Sequence, residues 1–324
     1  MRTPKTLATS LLSLSAAALL AVSAAGAATA SPAAAQDKRA PQVTSQSVDG
    51  SKAADYWTPD RMKSAIPGDV LADRALARGN KSPAATVEKG SSTQISGKAA
   101  RGKTTLHASE SPVSNIGKVF FTMGGSNYVC SGNSVSSSNK STVSTAGHCV
   151  NEGPGAFATN FVFVPAYLNG AAPYGKWAAN ALYTPTQWSS AGDMQYDTGF
   201  AVVDPLNGKN LSDVVGASGV QFNAARGLTY KSYGYPAASP FDGQSLISCT
   251  GPASDDPNNP QFNSQGIPCD MTGGSSGGPW FIGTNSSGYQ NSINSYGYGT
   301  RSTVMYGPYW GSVIQQAYST AAAS

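Results

Sequence analysis

Histidine is almost missing from this chain, with two among 324 residues, and charged side chains make up only 12% of it. Chemistry that needs a proton acceptor near neutral pH therefore has two imidazoles to draw on, His107 and His148. Cysteine is confined to Cys130, Cys149, Cys249 and Cys269, with no CxxC pair, so a structural zinc site is not expected. No uninterrupted apolar run reaches the roughly 20 residues that a membrane span requires. A basic stripe is lacking too. Residues 1 to 101 carry 13 Lys+Arg against 7 Asp+Glu, whereas residues 102 to 324 carry 8 against 10. The basic pI thus belongs to the N-terminal third, and the rest has no clustered cations for phosphate, which excludes nucleic acid as an expected partner.

What is present begins with an export signal. Arg2 and Lys5 give a positive start, Leu7 to Ala25 is apolar but broken by Thr9, Ser10, Ser13 and Ser15, and Ala28-Thr29-Ala30 is a small-residue cleavage site. Residues 1–30 are expected to be removed and the product to be secreted, extracellular and free of membrane. Residues 31–101 are rich in Ala, Lys, Arg, Ser and Gln and poor in aromatics, which reads as a partly disordered propeptide. Within it Thr58 is placed to cap a short helix with Pro59 at its first position. Arg101-Gly102 is a candidate cut, leaving residues 102–324 as the folded domain. In an oxidising compartment four cysteines form two bridges, with three pairings open. The local pairing, Cys130 with Cys149 and Cys249 with Cys269, is the one expected; each bridge closes a loop of about 20 residues and stabilises by roughly 3 kcal/mol.

From Ile116 the chain changes to short runs bounded by Gly, Asn, Ser and Pro. Val119 to Met123, Tyr128 to Val135, Ser141 to Thr145, Phe161 to Val164, Phe200 to Val203, Leu228 to Tyr235, Trp280 to Ile282 and Ser302 to Tyr306 read as strands, an all-β pattern. Some 220 residues is long for one sandwich and suits two packed barrels sharing a cleft. Tyr309, Trp310, Val313, Ile314 and Ala317 fall at helical spacing and predict a closing helix.

Three residues stand out for chemistry. Ser276 lies in Gly273-Gly274-Ser275-Ser276-Gly277-Gly278-Pro279, where flanking glycines let the backbone wrap an exposed hydroxyl and aim amides at a carbonyl. His148 ends a β-branched run beside Cys149, so a crosslink would fix its position, whereas His107 sits near the processing boundary. Asp197 shortly precedes an apolar strand and is the favoured partner to orient the imidazole. Its rivals, Asp193 and Asp204, stand in loop-like contexts. Order then separates classes. Gly274-Ser275-Ser276-Gly277-Gly278 also satisfies the elbow of α/β-hydrolase esterases, but those place the histidine after the serine and none follows Ser276 here. A subtilisin order would draw its Asp from the propeptide, so His, Asp, Ser is the order left.

Thr145-Ala146-Gly147-His148-Cys149, the start of the Asp197 strand and Gly274-Ser275-Ser276-Gly277-Gly278-Pro279 together resemble the trypsin-like serine peptidases of the chymotrypsin class, in particular secreted bacterial ones, over residues 116 to 318. The resemblance implies two orthogonal six-stranded β-barrels with a short C-terminal helix. It implies catalysis by His148, Asp197 and Ser276, an oxyanion hole from the Gly274 and Ser276 amides, and a cystine between Cys130 and Cys149 that holds the histidine loop. Ser295-Tyr296-Gly297 is similar to the family's substrate-binding strand, and Asp270 stands at the offset of the residue that selects Arg or Lys. Two departures accompany it. Animal trypsins carry Asp just before the nucleophile, to pair with the new N-terminal amine, and this chain has Ser275 there. Cys269 is displaced from the trypsin position, so the pocket wall next to Asp270 is built differently. A Glu preference is disfavoured for want of a pocket histidine. The expectation is a monomeric serine endopeptidase acting on protein or peptide substrates without metal or organic cofactor. A non-catalytic binding member of the same fold and a secreted esterase are the rivals.

Overall fold

The pleated alternation of Val119, Phe120 and Phe121 sets out how the first half is built, since successive side chains leave opposite faces of a strand. Val119 and Phe121 join one apolar cluster with Phe161, Phe163 and Val143 inside a barrel, while Phe120 joins another with Val162, Tyr235 and Phe281 under the second half. Both faces of the strand are therefore dry.

A computed structural model describes residues 42–79, 90–96, 108–299 and 302–324. The signal segment, His107 and the Arg101-Gly102 cut lie outside the described residues. In the expected propeptide the elements are β1 (Val43–Ser47), α1 (Ala53–Tyr56), α2 (Pro59–Ser64), β2 (Ile66–Pro67), α3 (Asp69–Arg78) and β3 (Thr93–Ile95). Thr58 does cap α2, its side chain accepting from the Arg61 N–H at 3.3 Å with Pro59 at the first position. The first half follows as β4 (Ala108–Glu110), β5 (Ile116–Met123), β6 (Ser126–Val135), β7 (Thr142–Thr145), β8 (Thr159–Pro165), β9 (Trp177–Pro185), α4 (Thr186–Ala191) and β10 (Gly199–Val203). The second half holds α5 (Leu211–Val215), β11 (Val220–Phe222), β12 (Thr229–Gly234), β13 (Leu246–Pro252), β14 (Ser254–Asp255), β15 (Gln265–Pro268), β16 (Pro279–Ile282), β17 (Gln290–Ile293), β18 (Val304–Gly307) and α6 (Ser312–Ala323).

Strands β9, β10, β7, β6, β5 and β8 pair in that order and β8 returns to β9, closing a six-stranded antiparallel barrel. Gly124 and Gly125, at φ +56° and +80°, supply the two left-handed residues that a tight turn between β5 and β6 requires. The second half is built of two sheets, β11-β17-β16-β12-β13 and β14-β15-β18, each extended or stitched at its edges. The Cys249–Cys269 disulfide crosslinks β13 to the residue after β15, between these two sheets. Helix α6 starts at Ser312, three residues later than its apolar spacing suggests, because Trp310 is buried ahead of it against Phe222.

Much of the core is phenolic, and this fixes its response to alkali. Burial pushes the Tyr233 and Tyr318 hydroxyls up to about 12, and Tyr230, Tyr235, Tyr296 and Tyr298 are raised for the same first reason. A group whose folded pKa exceeds its unfolded value near 10 contributes stability that is complete below pH 10 and lost as pH rises toward the folded value. Lys118 acts in the opposite sense. Burial lowers its ammonium to about 8, so the protein gains stability as pH climbs from there toward the ordinary lysine value. The urea midpoint is accordingly expected to hold or rise between pH 8 and 10 and to fall steeply above; an unchanged midpoint at pH 11.5 would contradict this.

Candidate active site

Strand β7 ends at Thr145 and a single 3-10 turn, Gly147–Cys149, carries His148 out of it. The turn is fastened to β6 by the Cys130–Cys149 disulfide. A β-carbon on Gly147 would fall 2.9 Å from Asp197 Oδ1, so only glycine lets that carboxylate approach. Asp197 closes the 3-10 turn Met194–Tyr196 in front of β10, the neighbour of β7 in the barrel. The two residues are thus brought together by strand pairing, 49 positions apart in sequence.

Their geometry is tight. Asp197 Oδ1 accepts the His148 backbone N–H at 2.7 Å, and Oδ2 lies 2.8 Å from His148 Nδ1 and accepts the Ser295 hydroxyl at 2.5 Å. Both side chains are fully buried. A carboxylate facing Nδ1 favours the tautomer with its proton on Nδ1, the one in which Nε2 is the acceptor. Nε2 is buried and has no hydrogen-bond partner, so the link to Ser276 is not made in this state of the chain. Trp188 of α4 flanks the imidazole edge-on, with ring centroids 6.3 Å apart. The rival carboxylates are elsewhere: Asp193 accepts from the Gln195 N–H at 3.1 Å, and Asp204 accepts from Asn180 at 2.7 Å.

Ser276 rides on a loop clamped from three sides. Its carbonyl accepts the Ser131 N–H at 2.7 Å, the Gly277 N–H donates to Asn294 O at 2.7 Å, and the Asn294 Nδ2 amide donates to Ser275 O at 3.0 Å. Gly277 has φ +80°, and a β-carbon there would fall 2.2 Å from Thr145 Oγ1, at the root of the histidine turn. The loop bearing Ser276 therefore packs on the strand that delivers His148. Gly273 O accepts the Ala237 N–H at 2.6 Å, and because a trans peptide sets C=O and N–H on opposite sides, the Gly274 N–H points the other way. Ser275 is spoken for inside the turn, its hydroxyl donating to Thr272 O at 2.8 Å, so a neutral local contact stands where an animal trypsin has an acid.

The expected substrate strand lies alongside. Ser295 N–H donates to Tyr306 O at 2.9 Å, Tyr296 and Tyr306 bond through their backbones in both directions, and Gly297 follows beside Ser302. Tyr296 stacks on Tyr306 at 5.1 Å, and its hydroxyl reaches Asp256 Oδ2 at 2.9 Å. Asp270 is half-buried next to Cys269, whose N–H donates to Thr303 O at 2.9 Å. Sequence reasoning missed Asn294, Trp188 and Asp256. Asn294 alone had a local signal, its place just before Ser295, since the other two reach the site only through the fold.

Cys130, His148 and Cys149 also lie together, but both sulfurs are consumed in the disulfide and offer no thiolate to a metal.

No protein-family model and no curated protein matches the chain. Among solved structures it is similar to the protease Anisep from Arthrobacter nicotinovorans, with 76% identity, a TM-score of 0.67, and 68% of this chain and 100% of that one covered. It is also similar to the thermostable serine protease AL20 from an extremophilic microorganism, with 51% identity, a TM-score of 0.64, and 65% and 98% covered. A Glu endopeptidase is 20% identical at a TM-score of 0.53, covering 69% and 98%, a likeness of fold alone.

Proposed function

Since the chain belongs to the chymotrypsin-like serine peptidases, we propose that it is made as an exported precursor and hydrolyses peptide bonds by acyl transfer from Ser276. The observation that carries the reading is the chain of contacts Ser295, Asp197, His148, which engages Nδ1 with the carboxylate and leaves Nε2 without a partner. In the proposed sequence Nε2 takes the Ser276 proton as Oγ attacks the scissile carbonyl. The Gly274 and Ser276 amides hold the oxyanion, and the carboxylate of Asp197 stabilises the imidazolium. His148 then protonates the leaving amine, and water repeats the sequence on the acyl-enzyme. Every proton moves between groups named here, so the reaction draws on no cofactor.

The proposal extends to specificity and processing. Asp270 supplies the negative charge that selects Arg or Lys before the scissile bond, and residues 31–101 leave on maturation. With Ser275 neutral and already bonded to Thr272 O, activation does not run through an ion pair to a new N-terminal amine.

Peptide libraries incubated with secreted, processed protein test this directly. Cleavage after Arg and Lys, with weak turnover of simple esters lacking a peptide, is the expected result. Ester hydrolysis without peptide cleavage would replace the reading by an esterase, and cleavage centred on aromatic residues would remove the role given to Asp270.

A further inference from the structure

The stretch before the expected maturation site does not stay clear of the cleft. Strand β2 pairs parallel with β6 at Ile66↔Tyr128 and Pro67↔Val129, and the Gly68 N–H donates to Val129 O at 2.9 Å. A β-carbon on Gly68 would fall 2.5 Å from Cys130 Sγ, so the chain passes directly over the disulfide that holds the His148 turn. Immediately afterwards α3 begins, and its first residue enters the site. A β-carbon on Gly273 would fall 2.1 Å from Asp69 Oδ1 and 2.3 Å from Oδ2, which puts the carboxylate against the backbone just ahead of the Gly274 amide.

Helix α3 then covers the neighbouring groove. Ala72 and Ala75, one turn apart, are buried in a cluster with Trp188, Met194, Phe262 and Tyr296. Trp188 flanks His148, and Tyr296 belongs to the expected substrate strand. Both alanine methyls are buried there, so a longer, charged side chain at either position would have to displace the helix from the rings. At the far end Arg78 donates to Glu152 O at 3.1 Å. Upstream, β1 adds to β9 over five residue pairs, and Trp57 is buried in the second apolar cluster with its indole donating to Asn160 O at 2.6 Å. The plug is therefore anchored well outside the cleft.

We infer that residues 66–78 are a built-in inhibitor of this chain, with Asp69 set against the nucleophile loop and the Ala72/Ala75 face of α3 filling the substrate groove. The inference rests on the catalytic reading of Ser276 and His148. Two features accompany it: Asp69 Oδ1 is buried without a hydrogen-bond partner, and His148 Nε2 is not bonded to Ser276. Burial first, and then Asp73, raises the Asp69 carboxyl above its usual range. Burying a carboxylate with an open valence is unfavourable by itself, so its placement has to be offset by the packing of β1, Trp57 and α3.

The test is fluorophosphonate labelling of the full precursor, followed on a gel that separates precursor from any shortened species. If the groove is open in only one molecule in a hundred, the precursor labels about 100-fold more slowly than the processed form. The double variant Ala72→Arg/Ala75→Arg, and independently Asp69→Ala, should label faster at full precursor mass, while Arg74→Ala, an exposed position on the same helix, should not. Wild-type precursor labelling as fast as processed protein overturns the inhibitor, and this comparison requires no variant to fold. Variants that fold and label no faster than wild type overturn it as well. If the processed form also fails to label, the catalytic assignment of Ser276 falls and the inhibitor falls with it.

Discussion

Replacing Ser276 by Ala is expected to lower kcat for peptide cleavage by about 10⁶-fold, the loss seen when the serine of such a relay is removed. The fold should be untouched. The loop is held through Ser276 O to the Ser131 N–H, through the Gly277 N–H to Asn294 O and through Asn294 Nδ2 to Ser275 O, and none of these uses the Ser276 hydroxyl. The unfolding free energy from urea titration should therefore match the parent within roughly 0.5 kcal/mol, as for a change that opens no cavity and orphans no buried group. Fluorophosphonate labelling of the processed protein should vanish in the same variant. Labelling that survives Ser276→Ala would assign the nucleophile to another residue, whatever the rate of hydrolysis.

Asp197→Asn comes next in size, with kcat expected to fall about 10⁴-fold and KM nearly unchanged. The reason is the donor and acceptor count. Asp197 accepts from the His148 N–H, from His148 Nδ1 and from the Ser295 hydroxyl, three donors converging on two buried oxygens. An amide presents one oxygen and one NH₂ to the same donors. If the NH₂ faces Nδ1, the imidazole proton has to shift to Nε2, and the base can no longer accept from Ser276. Asp193→Asn is the matched control. Its carboxylate caps the turn Met194–Tyr196 and an amide caps nearly as well, so kcat should change less than about threefold. Equal losses in the two variants, or a rise in KM alone for Asp197→Asn, would refute the orienting role.

The regions legible in advance were those where a local pattern matches a local cause. Runs of β-branched and aromatic residues at Val119 to Met123, Tyr128 to Val135 and Phe200 to Val203 coincide with β5, β6 and β10 to within a few residues. Strands such as Gln290–Ile293 and Leu246–Pro252 escaped notice because polar and turn-forming residues interrupt their short apolar runs, and pairing with neighbours makes them strands. Gln290 is fully buried, with its side-chain oxygen accepting from Asn133 at 2.8 Å and Ser144 at 3.0 Å. Such a partner cannot be read from composition. Residues 31–101 were expected to be a partly disordered propeptide; their described residues form three strands and three helices, whose apolar residues bury in clusters shared with the rest of the fold.

The amino-acid sequence determined the class of chemistry. With two histidines, a glycine-bracketed serine and the order His, Asp, Ser, few other hydrolytic designs were open, because motif and order survive any folding detail. Tertiary structure alone decided that Asp197, already favoured by its place before an apolar strand, also takes the His148 backbone N–H, that Asn294 and Ser131 hold the Ser276 loop, and that Asp69 lies on that loop ahead of Gly274. Those outcomes depend on which strands pair and at what register, a property of contacts between residues tens to hundreds of positions apart that no local window of the chain contains.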